Sequence, residues 1–303
     1  MSHGSETSLA STAVDLSRLP APQVVEQLSY EAIFAALLAS LQQLLPAFDA
    51  TVESEPAVKL LQVFAYRELL LRQEFNDRAC GVMLAYARGG DLDQLAALVG
   101  VTRLQIAPAD PETGAAAVFE SDDALRARAV LAPESFSVAG PELAYVFHAR
   151  SAHADVLDAS ATSPAPGQVV VTVLSRLGNG EASAELLGAV EAVVNAYDVR
   201  PLTDLVSVQS ADVVEFAIAA KLYIYQGPDS AVVMAAAAAS LQNYIDGGRR
   251  LGRDITLSGL YAALHVAGVQ RVDLTSPTGN IVLGDTQAPW CTGVALTSGG
   301  VGE

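Results

Sequence analysis

The chain has 303 residues, 51% of them hydrophobic and 17% charged, which gives it ample material for a core and argues against disorder along its whole length. Lys and Arg number 17 against 34 acidic residues, so a net charge of −17 with no basic run weighs against direct binding of nucleic acid or of an anionic membrane surface. Two cysteines, Cys80 and Cys291, offer neither a disulfide framework nor a metal-ligand spacing.

The stretch from Met1 to Thr12 lacks the basic-then-apolar layout of a signal peptide. The longest apolar run, Ala231 to Ser240, is about half of the ~20 residues that a membrane span needs. The expectation is a soluble protein, cytoplasmic when made. Residues 1–19 read as a flexible arm, followed by a turn at Pro20-Ala21-Pro22.

A first helix starts at the capping residue Ser29, carries Ile33, Leu37, Leu41 and Leu44 at helical steps, and stops at Pro46. Ser54-Glu55-Pro56 predicts the start of a second helix, with a capping serine, a first-turn acid and an early proline. Its pattern continues to Gly89-Gly90, roughly 30 residues or about 45 Å. Leu60, Phe64, Leu71 and Phe75 mark one face, and Val58, Leu61, Ala65 and Leu69 its neighbour. An apolar stripe that broad on one long helix calls for partners on more than one side. Leu60, Leu61, Phe64, Leu71 and Phe75 are therefore the candidate partner-interface residues.

Asp91 with Gln94 predicts a capping box for a short helix closed by Gly100. A link from Pro108 to Gly114 leads to two further helices, Asp122 to Leu131 and Pro141 to Ser151. Beyond Pro164 the texture changes. Gln168 to Leu174 is a strand by its β-branched content, followed by a helix from Ser183 to Ala196 and a strand from Asp204 to Val208. The order recurs with a strand from Val214 to Tyr225, an Ala-rich helix from Asp229 to Ile245, a helix from Leu257 to His265 and a strand from Val269 to Leu274. This reads as an approximate duplication of a small α/β unit, with a loose Gly-rich tail from Thr297. The fold class is α+β, an N-terminal helical arm followed by a mostly helical middle and two tandem small α/β units. The expected divisions are 1–19, 20–107, 108–163 and 164–303.

Gly178-Asn179-Gly180-Glu181-Ala182-Ser183 lies between a strand and a helix, where a dinucleotide-binding loop would sit. Serine replaces the third glycine and Glu181 puts negative charge where phosphate would lie, so a plain turn and helix cap is the better reading. His148 and His153 are five apart and point to different faces; they and a packed His265 read as structural. The acids Asp122 and Asp123 suit a helix first turn without further purpose. No Walker loop, nucleophile elbow or Cys/His pair occurs, so no catalytic, metal or cofactor residue is assigned and no cofactor is expected.

Several segments resemble one family. Asp15 to Pro22 with the Ser29-Tyr30-Glu31-Ala32-Ile33 helix is similar to the start of baseplate J-type assembly proteins of contractile-tailed phages, as is Lys59 to Arg72. Ala85-Tyr86-Ala87 with Gly90 to Ala96, Leu131 to Pro141, Arg253 to Thr256 and Ser258 to Leu264 continue the likeness from about Asp15 to Leu296. R-type pyocins use the same family. The resemblance implies a structural wedge subunit with no catalytic residues. It implies partners: a second copy of the chain, a companion wedge protein gripped through the helical arm, a small wedge protein next to the sheath, and neighbouring wedges closing a six-fold ring around the central spike. Baseplate change then releases the sheath. Two other readings stand beside it, an adaptor of another contractile injection machine and a nucleotide-binding enzyme with its site near Gly178 to Ser183.

Overall fold

The computed structural model describes residues 16, 19, 29–46, 48, 55–137, 140–227 and 229–301. Most of the N-terminal arm, the turn at Pro20-Ala21-Pro22 and the expected cap Ser54 lie outside them. Among the described residues the chain forms eight α-helices and eight strands, an α+β fold as the sequence predicts. It divides into two compact units, Met1–Thr102 with Ser121–Val130, and Arg103–Glu120 with Leu131–Glu303.

The first unit is helical. Helix α1 (Tyr30–Leu44) is capped by Ser29, whose Oγ accepts from the Ala32 N–H at 3.2 Å. It packs on α2 (Pro56–Gly81). Proline opens α2 and the cap is Glu55, which uses no side-chain hydrogen bond; the acid expected in the first turn stands one place outside it. The helix stops at Gly81, short of the predicted Gly89-Gly90. A Cβ on Gly81 would lie 2.8 Å from Asp91 Oδ2, so the chain there comes close to the next helix. Arg126 then claims the carbonyls of the turn, donating from Nε to Leu84 O at 2.8 Å and from Nη2 to Ala87 O at 2.7 Å.

Helix α3 (Gly89–Ala97) starts two residues before the predicted Asp91. No capping box forms, because the Gly89 N–H is satisfied from a distance, donating to Asp122 Oδ2 at 3.2 Å. Asp122 therefore does more than favour a helix dipole. Gly100 closes this helix with φ +74°, as its position predicts. Helix α4 (Asp122–Leu131) contributes the buried Leu125 and Ala129, which join Leu92, Ala96 and Val101 as fully or almost fully buried side chains. Arg128 is buried too, and its Nη2 donates to Thr102 O at 2.6 Å.

The second unit opens with a short hairpin, β1 (Gln105–Ala107) and β2 (Val118–Phe119), whose two strands flank the predicted link from Pro108 to Gly114. Buried Glu120 ties it back, accepting the Leu104 N–H at 2.9 Å. Helix α5 (Glu142–Ala152) follows, with Pro141 as its cap and not inside its first turn.

The first α/β module has the strand order β3-β4-β5 (Val156–Thr162, Gln168–Ser175, Leu205–Ser210). Strand β3 has no counterpart in the sequence reading. It pairs antiparallel with β4, whereas β4 pairs parallel with β5 through helix α6 (Ala184–Val194). Val171, Val173, Leu186, Val190 and Val194 form its core with Tyr145 and Ala149 of α5. The Tyr145 hydroxyl donates to Asp204 Oδ2 at 2.9 Å, and burial followed by that bond pushes its pKa upward.

The second module has the order β7-β6-β8 (Val269–Ser276, Asp212–Ile224, Gln287–Val301). Helices α7 (Ser230–Gly248) and α8 (Leu257–Leu264) connect β6 to β7, which pair antiparallel, while β6 and β8 pair parallel. Phe216, Ile218, Ala220, Leu222 and Ile224 alternate inward along β6 onto Val233, Ala237 and Leu241 of α7 and Leu260 and Leu264 of α8.

Two tandem α/β modules are thus present, but they are not copies. In the first the helix joins a parallel pair, in the second an antiparallel one. The tail expected to be loose from Thr297 is the end of β8, held because its backbone pairs with β6, Lys221 with Thr297, Leu222 with Ser298 and, past a register shift, Ile224 with Val301.

Candidate assembly surface

Helix α2 carries the candidate interface. Its Val58, Ala65 and Asn76 are buried, and Leu61 and Leu69 are half-buried. These residues share one side of the helix by the 3.6-residue period, and α1 is the helix that packs on α2. Leu60, Phe64, Leu71 and Phe75 point the other way and are 58 to 65% exposed. Val63, Tyr66 and Leu70 widen the same exposed band. Of the five residues singled out from sequence, four lie on this open face, and Leu61 sits at its border with the packed side.

From Leu60 to Phe75 the band is about 22 Å long. The steps of four, seven and four residues between Leu60, Phe64, Leu71 and Phe75 keep all four on one face of the helix. The polar residues beside it are tied along the helix: Arg72 to Glu68 and Arg78 to Glu74, each at 2.6 Å. Such exposed pairs add little stability but keep the ends of the band soluble. Scattered exposed leucines need no explanation; a contiguous band of large apolar side chains is what makes this face the candidate interface.

The loop from Gly178 to Ser183 is a turn and a cap. The Ser183 Oγ accepts the Leu186 N–H at 3.2 Å, and the Glu181 N–H donates to Asn179 Oδ1 at 3.1 Å. Its carbonyls face a cation: Arg249 Nη2 donates to Gly178 O at 2.8 Å and to Ser175 O at 3.4 Å, and Nη1 to Arg176 O at 3.3 Å. The same guanidinium lies 4.7 Å from the Trp290 ring centre. Burial, then the neighbouring Arg176, holds the Arg249 pKa below its usual value, with Asp246 opposing. Ser160 Oγ donating to Asp285 O at 2.6 Å and the Leu251 N–H donating to Asp158 Oδ2 at 3.1 Å complete this joint between the two modules. Sequence reasoning missed Arg249, because its partners are carbonyls some 70 residues away.

His148 is half-buried against Phe147, and burial lowers its pKa against the pull of Asp198. His153 caps α5 and accepts the Asp155 N–H at Nδ1. His265, expected to be packed, is exposed at the end of α8, where only its backbone is engaged. Among the described residues no group of His, Cys, Asp or Glu could hold a metal ion, and no helix is long and apolar enough to cross a membrane.

The chain matches three consecutive family models: the Baseplate J-like N-terminal domain over residues 53–110, the central domain over 137–210 and the C-terminal domain over 216–297. It is 50% identical over 299 residues to Baseplate protein J of Escherichia phage P2, covering 96% of this chain and 99% of that one. The chain belongs to the baseplate J-like family. Among solved structures, a chain of the baseplate of the anti-feeding prophage matches with a TM-score of 0.40 and 15% identity. That match covers 59% of this chain and 42% of the other, so the baseplate J-like chain spans under half the length of that neighbour. The N-terminal model contains all of α2 and its open face.

Proposed function

We propose that this baseplate J-like chain is a structural wedge subunit of a contractile-tail baseplate, working by assembly and not by catalysis. The identity of half its residues to a phage baseplate protein over nearly its whole length supports a structural role in a baseplate. The observation that carries the finer reading is the open apolar face of α2, with Leu60, Phe64, Leu71 and Phe75 in contact with solvent. On this reading a second copy and a companion wedge protein cover that face, and a smaller wedge protein links the assembly to the sheath. Residues 20–107 then form the wedge core, and residues 164–303 meet neighbouring wedges and close a six-fold ring around the spike. Change in the ring releases the sheath. The chain is cytoplasmic during assembly and part of the tail or tail-like particle afterwards.

Electron microscopy of particles made without the chain tests the role. Sheath and tube lacking an organised baseplate is the expected result; particles with intact baseplates would refute it.

A further inference from the structure

The two α/β modules are joined by one residue. Strand β5 ends at Ser210, β6 begins at Asp212, and Ala211 between them donates its N–H to Val173 O at 2.9 Å. The central and C-terminal family models stop and start on either side of it, at residues 210 and 216. Little apolar surface accompanies this link. Leu174, Ala211 and Ala288 form a small shared core with Leu157 and Leu251 beside them, whereas each module has a far larger core of its own. A contact within a chain that is neither large nor strongly apolar leaves the parts that it joins free to move.

The other ties across the joint are polar: Ser160 to Asp285, Leu251 to Asp158, and Arg249 to the carbonyls of Ser175, Arg176 and Gly178. Arg249 is an imperfect clasp. Its acceptors there are neutral carbonyls, and its Nε is buried with no hydrogen-bond partner among the described residues. A cavity of about 200 Å³ borders it, lined also by Phe216, Ile245, Trp290 and Cys291. An unpaired buried donor and a cavity beside it both weaken the contact that they border.

We propose that this joint is a hinge, with Ala211 as its pivot and Arg249 as the clasp that holds the second module closed on the first. Opening breaks the ties at Arg249, Leu251 and Ser160 together and leaves both modules folded. The Ala211 N–H keeps its bond to Val173, because it lies at the pivot. Hinges absorb a motion in a few residues at the ends of elements, and one residue between two strands is such a place. The proposal goes beyond the baseplate reading and does not depend on it, since the motion belongs to the isolated chain.

The chain supplies its own reporter, because Trp290 is its single tryptophan and stacks on Arg249. In the full chain under a urea gradient, acrylamide quenching of Trp290 should rise while far-UV circular dichroism is still unchanged. Amide exchange followed by nuclear magnetic resonance should show Leu251 opening more readily than Val171 of β4 or Leu222 of β6. Arg249→Met should speed Leu251 exchange at least about tenfold, with Val171, Ala211 and Leu222 unchanged. Ser160→Ala removes a tie in which Trp290 takes no part, and should raise both Trp290 quenching and Leu251 exchange in the same direction. Quenching that rises only with the loss of circular dichroism would overturn the hinge. So would equal acceleration at Val171, Ala211 and Leu222, or a Leu251 amide indifferent to both substitutions.

Discussion

Helix α2 and the α7–α8 layer are both rich in apolar side chains, yet they use them in opposite ways. In the layer, Val233, Leu241, Leu260 and Leu264 are buried against β6, and the exposed positions of α7 are largely small, such as Ala235, Ala238 and Ala239. On α2 the buried positions are fewer and include Ala65 and Asn76, while the large residues Leu60, Phe64, Leu71 and Phe75 face outward. Large side chains bury the most apolar area, so where they sit marks where stabilisation is gained. The layer gains it within the chain. Helix α2 leaves most of it exposed to solvent.

Substitutions should separate the two regions. The largest effect on stability is expected from Leu260→Ala, which empties a fully buried site and should cost ~2–5 kcal/mol in denaturant unfolding. Leu71→Ala on the open face of α2 should change unfolding by no more than ~0.5 kcal/mol. Equal losses would erase the contrast. Gly180→Ala should follow at ~1–3 kcal/mol, since Gly180 has φ +113° and an added Cβ would lie 2.6 Å from Leu174 Cδ1. It should cost stability and leave assembly of the folded protein unchanged.

Arg249→Met keeps an unbranched side chain and removes the guanidinium from the Trp290 ring and from three carbonyls. A loss of ~1–3 kcal/mol by calorimetry is expected, with amide exchange faster around Ser175 to Gly180. Unchanged exchange there would count against the joint.

The smallest effect concerns pH. Burial holds the His148 pKa below its ordinary value, so the unfolded chain takes up this proton more readily than the folded one. Stability from this residue is present above the ordinary histidine range and is lost as pH falls through that range towards the lower folded value. His148→Gln should flatten that part of the melting-temperature profile; an unaltered slope would assign it elsewhere.

Amphipathic helices were readable because their periods are local: the caps at Ser29 and Ser183, and the apolar stripe of α2, all follow from residues within a turn or two. What could not be read locally depends on distant partners. Gly89 starts α3 because Asp122 receives its N–H, and α2 ends early where Arg126 takes the turn carbonyls. Strand β3 lacks a β-branched run in Asp158-Ala159-Ser160-Ala161 and owes its form to pairing with β4. The Gly-rich end of β8 is a strand for the same reason, through β6. Of the candidate interface, the stripe was readable and the border position of Leu61 was not, because that depends on where α1 packs.

The most direct test of the central claim, that the open face of α2 is used in assembly, is incorporation of a Phe64→Asp, Leu71→Asp double variant into particles, quantified by mass spectrometry beside wild type. A charge buried in an apolar contact costs several kcal/mol when unpaired, on the order of a hundredfold or more in affinity. The variant should fold with a wild-type melting profile and be absent from purified particles. Normal incorporation of the folded variant would contradict the account.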